Sequence, residues 1–504
     1  MMRKFSRKQK ISILVAAAIF VAAIVSAPFF IQAADKWPIV QYYRLTVLAD
    51  TIEKRQIYWE EGDNPMLFAY QTCFETEEEP SSSEIRTAFL SLLREDPDAY
   101  YTLANYMLSQ YEKYSKLLSQ EQYDRLYPEN ENYGGLGMVI SAYEPFIRVV
   151  NVYEDSAAGA AGVQPGDLIA CINGTDIRPL PYDAASELLK AVSAEGGSIA
   201  VLREGKASLL TFDLTPAEVV IPNVDWHVDG EIAYLNVTLF SGSDFNDLVD
   251  AAFADFREAG ASRLILDMRN NRGGTITLLV HLLDALTPEE GVLMFTEDKR
   301  NETIEHVSTG VGMAFDEVVV LANADTCSSA EVCTGYMKDC GYPVVGTVTY
   351  GKGTGLSILD FYGDVLVIAT IDIQLPKTGR YNGIGITPTM EVEETYAPAE
   401  LPDLLPLQTK SRITAESDAP DIEAMEERLF LLGYFFETPD GVWDQVTTTA
   451  VERVAELAGC DGAAPEMLAL LENMTVRLAE ARYFVDTQLE TAYEIIRAAE
   501  VPAA

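Results

Sequence analysis

Two short segments rich in small residues carry the side chains best suited to chemistry. Asn323-Ala-Asp-Thr-Cys-Ser-Ser-Ala-Glu331 offers Ser328, and Thr349-Tyr-Gly-Lys-Gly-Thr354 offers Lys352, 24 residues further on. A serine hydroxyl is a weak nucleophile until a base takes its proton. A lysine can be that base when burial lowers its pKa, because desolvation disfavours the ammonium form. The two residues therefore read as a Ser-Lys dyad for acyl transfer. The plainer reading is a helix-starting serine and a surface lysine in a glycine-rich turn, and these segments alone do not separate the two. Ser329 competes with Ser328 for the nucleophile's place, and the neighbouring Cys327 offers a thiol. The three histidines, His227, His281 and His306, form no HExxH pattern and flank no GxSxG elbow. Zinc-protease and α/β-hydrolase readings therefore find no support.

Further segments stand where such a peptidase needs them. Leu264-Ile-Leu-Asp-Met-Arg-Asn-Asn-Arg-Gly-Gly274 reads as a buried strand entering a polar, glycine-rich turn. Gly134-Gly-Leu-Gly-Met138 and Ala158-Gly-Ala-Ala-Gly-Val-Gln-Pro-Gly-Asp-Leu-Ile169 are spaced as in a PDZ domain. Together with Thr326-Cys-Ser-Ser-Ala-Glu331 and Thr349-Tyr-Gly-Lys-Gly353, in this order, they resemble the C-terminal processing peptidases, or tail-specific proteases, over roughly residues 85–395. That family's pattern is close to T-A-S-A-S-E with the nucleophile third, which falls on Ser328, and its lysine falls on Lys352. Cys327 takes the place of the family's alanine. In several members a glutamine four positions after the lysine supports it, and here that position is Leu356. The resemblance puts the oxyanion donors at the Gly273 or Gly274 amide and the Ser329 amide. Glycine suits this task because no Cβ blocks a substrate carbonyl. It implies no metal and no cofactor.

The chain has 504 residues, 48% of them hydrophobic, so it is long enough for several domains with cores of their own. A net charge of −42 argues against nucleic-acid binding and against docking of the body on anionic lipid. Arg3, Lys4, Arg7, Lys8 and Lys10 precede an uncharged stretch from Ile11 to about Ala34. That stretch is long enough for a membrane-spanning helix, with the basic flank on the cytoplasmic side. A cleaved signal peptide is the rival, with small-residue sites at Val25-Ser-Ala27 and Ile31-Gln-Ala33. Either reading puts the body outside the cytoplasm, where disulfides among the six cysteines are allowed.

The expected fold is multidomain α/β. It begins with a basic stub and anchor or signal peptide (1–34), then a helical N-terminal region (35–130) with helices over Ser83–Leu93 and Asp98–Leu118. A PDZ domain (131–216) follows, with Leu136, Gly137 and Met138 as its carboxylate loop and pocket rim for a peptide C-terminus. Strands alternating with helices make residues 217–395 the α/β peptidase core. A Pro-rich linker (396–419) leads to residues 420–474, where Leu429-Phe-Leu-Leu-Gly-Tyr434, Asp440-Gly-Val-Trp-Asp444 and Thr447-Thr-Thr-Ala-Val451 resemble the three-helix peptidoglycan-binding domain. A helical hairpin with an Asp-Gly turn is the simpler alternative. Tyr434 and Trp443 are the candidates for stacking on sugars. A C-terminal helix (475–504) could dock on the core. The expected activity is a serine endopeptidase whose partners are protein or peptide substrates with free C-termini, with peptidoglycan and the membrane as further contacts. Two other readings share the fold: a PDZ and cell-wall scaffold with a decayed site, and a peptidase acting on peptidoglycan peptides. Oligomeric state is not legible.

Overall fold

The computed structural model describes residues 36–127, 133–219 and 221–498. The basic start and the apolar stretch to Ala34 lie outside these residues. No helix among the described residues is long and apolar enough to cross a membrane. The chain divides into two compact units: Met1–Glu129 with Val224–Met390, and Asn130–Asn223 with Glu391–Ala504.

In the first unit, helices Pro38–Arg55, Pro65–Phe74, Ser82–Glu95 and Ala99–Ser109 pack around Leu45, Leu48, Phe89, Leu93, Leu103 and Met107. Their starts are written locally. Asn64 Oδ1 accepts the Leu67 amide ahead of Pro65, and the Ser81 amide donates to Glu84 Oε2 at 2.8 Å. The helix expected over Asp98–Leu118 stops at Ser109. Beyond it the Glu112 carboxylate takes the amides of Tyr114 and Ser115, and Lys116–Leu118 becomes a strand. That strand pairs antiparallel with Asp364–Leu375 of the peptidase core, Leu117 facing Leu366. Phe361, Leu366 and Ile368 join the helical cluster from the core side. The helical region is thus built into the peptidase unit rather than standing before it.

The core has two six-stranded sheets. In the first, Ile232–Val237, Arg263–Asp267, Glu317–Ala322 and Val344–Gly346 run parallel, with Asp267 level with Leu321 and Ala322 level with Gly346. Strands Arg263–Asp267 and Glu317–Ala322 are almost wholly buried and read as continuous apolar runs, as parallel strands covered on both faces do. Helices Phe245–Ala259, Ile276–Leu286 and Ser329–Cys340 connect or flank them. Three successive parallel strands end in loops at the same edge: Asn270–Gly274, Asn323–Ser328 and Thr347–Gly353. Ligands of open α/β sheets bind at the carboxyl ends of the strands, and these loops carry the candidate residues.

In the second unit, strands Met138–Tyr143, Phe146–Val152, Leu168–Ile172, Gly197–Leu202 and Leu210–Leu214 form an antiparallel sheet with helices Ala157–Ala161 and Tyr182–Glu195. One face packs on Ile147, Val149, Ile169, Leu189 and Val201. The other face, through Phe146, Ala170 and Cys171, shares a core with helices Ala419–Leu431, Gln445–Ala458 and Pro465–Glu480. The boundary expected between 474 and 475 falls inside the last of these helices, whose buried residues Met474, Thr475 and Leu478 continue one apolar face. The expected linker 396–419 is also structured. Its strand Thr395–Pro398 pairs with Arg482–Val485, and the Ile413 amide donates to Ala463 O at 3.0 Å. Helix Thr487–Ala498 groups with this unit, where Gln488 Nε2 donates to Val392 O at 2.8 Å.

Candidate active site

Ser328 sits between its strand and helix Ser329–Cys340 with φ 57° and ψ −120°. A non-glycine residue rarely adopts such a backbone, which costs about 1–3 kcal/mol and persists only when its surroundings hold it. They do so here. Thr326 Oγ1 donates to Met268 O, the Cys327 amide to Asn271 O, and the Ser328 amide to Glu331 Oε2, each at 2.9 Å. Ser329 is buried, and its hydroxyl donates to Gly274 O at 2.8 Å. Ser328 remains half-exposed. The adjacent Cys327 thiol is pushed up to about 11 by burial, against the pull of Lys352, so it stays protonated at neutral pH.

Glu331 joins the two segments. Its carboxylate is fully buried and accepts four hydrogen bonds: from the Ser328 amide (2.9 Å), Thr349 Oγ1 (2.6 Å), the Gly351 amide (2.6 Å) and the Lys352 amide (2.7 Å). The Ser328 and Lys352 amides share one oxygen, Oε2, at 2.9 and 2.7 Å, so their nitrogens are at most about 5.6 Å apart. Thr349 Oγ1 also accepts the Ile386 amide, which ties in the Gly383–Pro388 segment. The Ser-x-x-Glu spacing at the start of a helix is a recognisable capping signal. Glu331 could have been found that way, but the motif reading gave it no role.

Lys352 is largely buried, and this loss of hydration holds its pKa below the ordinary lysine value, against opposing contributions from Cys327, Glu112 and Glu331. Among the described residues no carboxylate lies within ion-pair distance of Lys352 Nζ, and no hydrogen bond joins it to Ser328 Oγ. The ring of Tyr114 lies beside it, 5.1 Å from Nζ to the centroid. Leu356 packs instead with Leu118, Val365, Val367 and Tyr123 on the second sheet.

The Asn271–Gly274 turn lies against the serine. A Cβ on Gly273 would come within 2.7 Å of Ser328 Cβ and 3.0 Å of the Ser329 nitrogen, and one on Gly274 within 2.2 Å of Phe240 O. Both glycines have positive φ, +96° and +135°. The Gly273 amide is taken by Asn271 Oδ1 at 2.8 Å. The Gly274 and Ser329 amides have no acceptor among the described residues, so of the two glycine donors considered Gly274 is the one left open beside Ser329.

Within the PDZ unit, the carbonyls of the expected carboxylate loop are turned inward. Leu136 O accepts the Ala158 amide, and Gly137 O accepts the Tyr153 amide and Ser156 Oγ. The Gly137 amide has no acceptor among the described residues. Leu136 itself is buried in the domain core, and Met138 is half-buried. Strand Met138–Tyr143 pairs on one side only and is an edge of its sheet. The sugar-stacking expectation for Tyr434 is overturned. Tyr434 is 6% exposed, with the Arg178 guanidinium 3.5 Å above its ring. Arg178 is wholly buried, pairs with Asp176 and donates to Leu432 O at 2.5 Å. Trp443 is likewise half-buried against the shared core, its Nε1 donating to Thr448 Oγ1 at 3.0 Å. Tyr434 thus packs on Arg178 of the PDZ domain, and Trp443 lies against the core that the helices share with it. Among the described residues no cluster of three or more histidine, cysteine or acidic side chains is arranged to hold a metal.

Comparison with known proteins agrees with this layout. Residues 231–392 match the model of peptidase family S41, and residues 148–202 that of the PDZ domain. The "Probable CtpA-like serine protease" of Staphylococcus saprophyticus is 25% identical over 359 residues, covering 70% of this chain and 72% of the relative. The carboxy-terminal-processing protease of Bartonella bacilliformis is 25% identical over 319 residues, covering 62% and 73%. Among solved structures, the photosystem II D1 C-terminal processing protease aligns over 70% of this chain and 93% of its own at 20% identity, with a TM-score of 0.42. The chain therefore carries a serine-type peptidase domain of family S41 together with a PDZ domain, and it is a homologue of the carboxy-terminal-processing proteases.

Proposed function

We propose that the protein is an extracytoplasmic endopeptidase that works through a Ser328–Lys352 dyad and cleaves protein substrates near their free C-termini. The observation that carries this reading is the single Glu331 oxygen shared by the Ser328 and Lys352 amides. Neutral Lys352 takes the proton of Ser328 Oγ as the hydroxyl attacks the scissile carbonyl. Lowering the lysine pKa keeps more of it in the reacting, uncharged form near neutral pH. The developing oxyanion faces the Gly274 and Ser329 amides at the start of a helix, whose dipole favours negative charge. Protonated Lys352 then gives its proton to the departing amine, and the same base activates water for deacylation. Pairing with the open edge of Met138–Tyr143 would hold a substrate tail as an added strand, with the Gly137 amide at its terminal carboxylate. The basic start and apolar run of the sequence support the extracytoplasmic location, with an uncleaved anchor favoured. The reading of residues 420–474 as a cell-wall module rests on its sequence motifs alone.

Replacement of Ser328 by alanine and of Lys352 by alanine should each abolish cleavage of an unfolded, tailed substrate and labelling by a fluorophosphonate, with folding intact. Labelling that survives Ser328→Ala but is lost in Ser329→Ala would move the nucleophile. Wild-type protein that folds but is not labelled would favour the scaffold reading. Paired peptides differing only in a C-terminal amide test the PDZ role, and equal rates for both would remove it.

A further inference from the structure

The segment Gln110–Ser115 connects helix Ala99–Ser109 to strand Lys116–Leu118 and lies over the lysine loop. Its backbone is held on both sides of Tyr114. Glu112 accepts the Tyr114 and Ser115 amides, and buried Ser115 Oγ accepts from Ala369 N (2.9 Å) and Gln56 Nε2 (3.2 Å). Asn105 closes the far end by bonding both the amide and the carbonyl of Leu117. The Tyr114 ring is thereby fixed 5.1 Å from Lys352 Nζ, its hydroxyl 3.4 Å from Gly351 O, and its centroid 6.1 Å from that of Tyr350. Lys113 Nζ stacks over Tyr350 at 4.2 Å and so covers the outer side of the same pair of rings. The position that could offer a polar partner to the lysine, Leu356, is engaged in an apolar cluster elsewhere.

We propose that Tyr114 is the positioning residue for Lys352: its ring forms one wall of the lysine's site, keeps water off the amine and holds Nζ toward Ser328. The inference rests on the Ser-Lys reading above. A cation approaches an aromatic face favourably at this distance, so the same ring steadies Nζ after it has taken the proton. The charged and titratable groups that face the lysine are Cys327 and Glu331 from the nucleophile segment and Glu112 from the Tyr114 segment. Lys113 lies over the outer rings. The two carboxylates favour the ammonium, and the wall opposes them by excluding water. Tyr114 belongs to the helical N-terminal region, so that region completes the active site.

The test separates this inference from the dyad itself. In a Ser328→Ala background, acetylation of Lys352 by a small amine-reactive ester, followed by peptide mass mapping across pH, reports the lysine's titration without any catalytic readout. Tyr114→Phe keeps the ring, so it should keep the midpoint closer to the wild-type value than Tyr114→Ala does. Tyr114→Ala should move the midpoint to higher pH, and in the Ser328 enzyme lower kcat at pH 7 by about 10- to 100-fold with KM little changed. Where Tyr114→Ala does not fold, Tyr114→Leu keeps most of the volume and should still lower kcat. An unmoved midpoint in Tyr114→Ala, a loss carried by KM, or wild-type kcat in Tyr114→Leu would overturn the proposal. Full activity in Lys352→Ala would instead overturn the dyad on which it rests.

Discussion

Removal of the Glu331 carboxylate should damage the site more than the fold. In Glu331→Ala, four donors lose their acceptor at once: three backbone amides and the Thr349 hydroxyl. Hydrogen bonds to a charged group contribute about 1.5–3 kcal/mol each, and an orphaned buried donor costs about 1–3 kcal/mol. Four such terms would sum to more than many domains possess, but a vacated carboxylate leaves room for water to take up some of the donors. We therefore expect a net loss of about 3–5 kcal/mol, the range of a broken buried polar network. The effect on Ser328 has a different origin. Its left-handed backbone is strained by about 1–3 kcal/mol, and its amide bond to Glu331 is one of the contacts opposing that strain. Without it the serine can relax toward ordinary helix-cap geometry, and displacement by about 1 Å is worth about 100-fold in rate. Glu331→Gln keeps one acceptor oxygen but turns an N–H₂ toward donors, so it should fall between. The measurements are urea unfolding midpoints and the rate of fluorophosphonate labelling of folded protein. A Glu331→Ala variant that labels at the wild-type rate and unfolds within about 0.5 kcal/mol of wild type would refute the assignment of Glu331 as the staple of the site.

Three other expectations follow from the geometry. Ser329→Ala loses only the bond to Gly274 O, so it should cost about 1 kcal/mol in unfolding experiments and still be labelled, unlike Ser328→Ala. Because burial lowers the Lys352 pKa, the unfolded chain binds the proton more tightly than the folded one in the window between the folded and unfolded values; stability attributable to this residue rises with pH there. Lys352→Met should accordingly stabilise the protein at neutral pH, with the advantage fading as pH approaches about 10.4, and the wild-type rate should climb through the lower of the two values. Thermal unfolding across pH, with no gain for the methionine variant at pH 7, would contradict this. Arg178→Met strands Asp176 and removes the cap from Tyr434, and breaking a buried pair costs about 3–5 kcal/mol. Limited proteolysis of the second unit should then release fragments from both the PDZ sheet and the three helices, and an unchanged digestion pattern would argue against a common core.

The family, the PDZ domain and the α/β class were legible because each leaves local marks: glycines at turns, small residues around the serine, and apolar runs for buried parallel strands. The helix read over Asp98–Leu118 ran too far because apolar spacing continues through Met107, Leu117 and Leu118, while the pairing that makes Leu117 a strand residue is set by Leu366 in a distant segment. Tyr434 looked like a surface aromatic because its motif is local. Its burial is decided by Arg178, which meets the domain across 254 residues at Leu432 O. Tyr114 carried no signal at all, since nothing near residue 114 announces a lysine loop 237 positions away at Gly351. The open donor pair was only half readable. Either glycine amide fitted the turn, and the choice depended on Asn271 Oδ1, whose side chain also donates to Val237 O.

The apolar seam between the PDZ sheet and the three helices makes the C-terminal helices a non-portable part. Shortening the chain ahead of Ala419 would bare Phe146, Ala170 and Cys171 on the PDZ sheet and leave Arg178 with neither its tyrosine nor the Leu432 carbonyl. A truncated form would then be prone to self-association through a newly wetted sheet face. Loss of activity on truncation would therefore report a spoiled PDZ surface before it reported a missing cell-wall contact. The same seam limits how such a chain can be shuffled in evolution: the helices can be inherited with this PDZ domain or replaced by something that covers the same face, but not simply dropped.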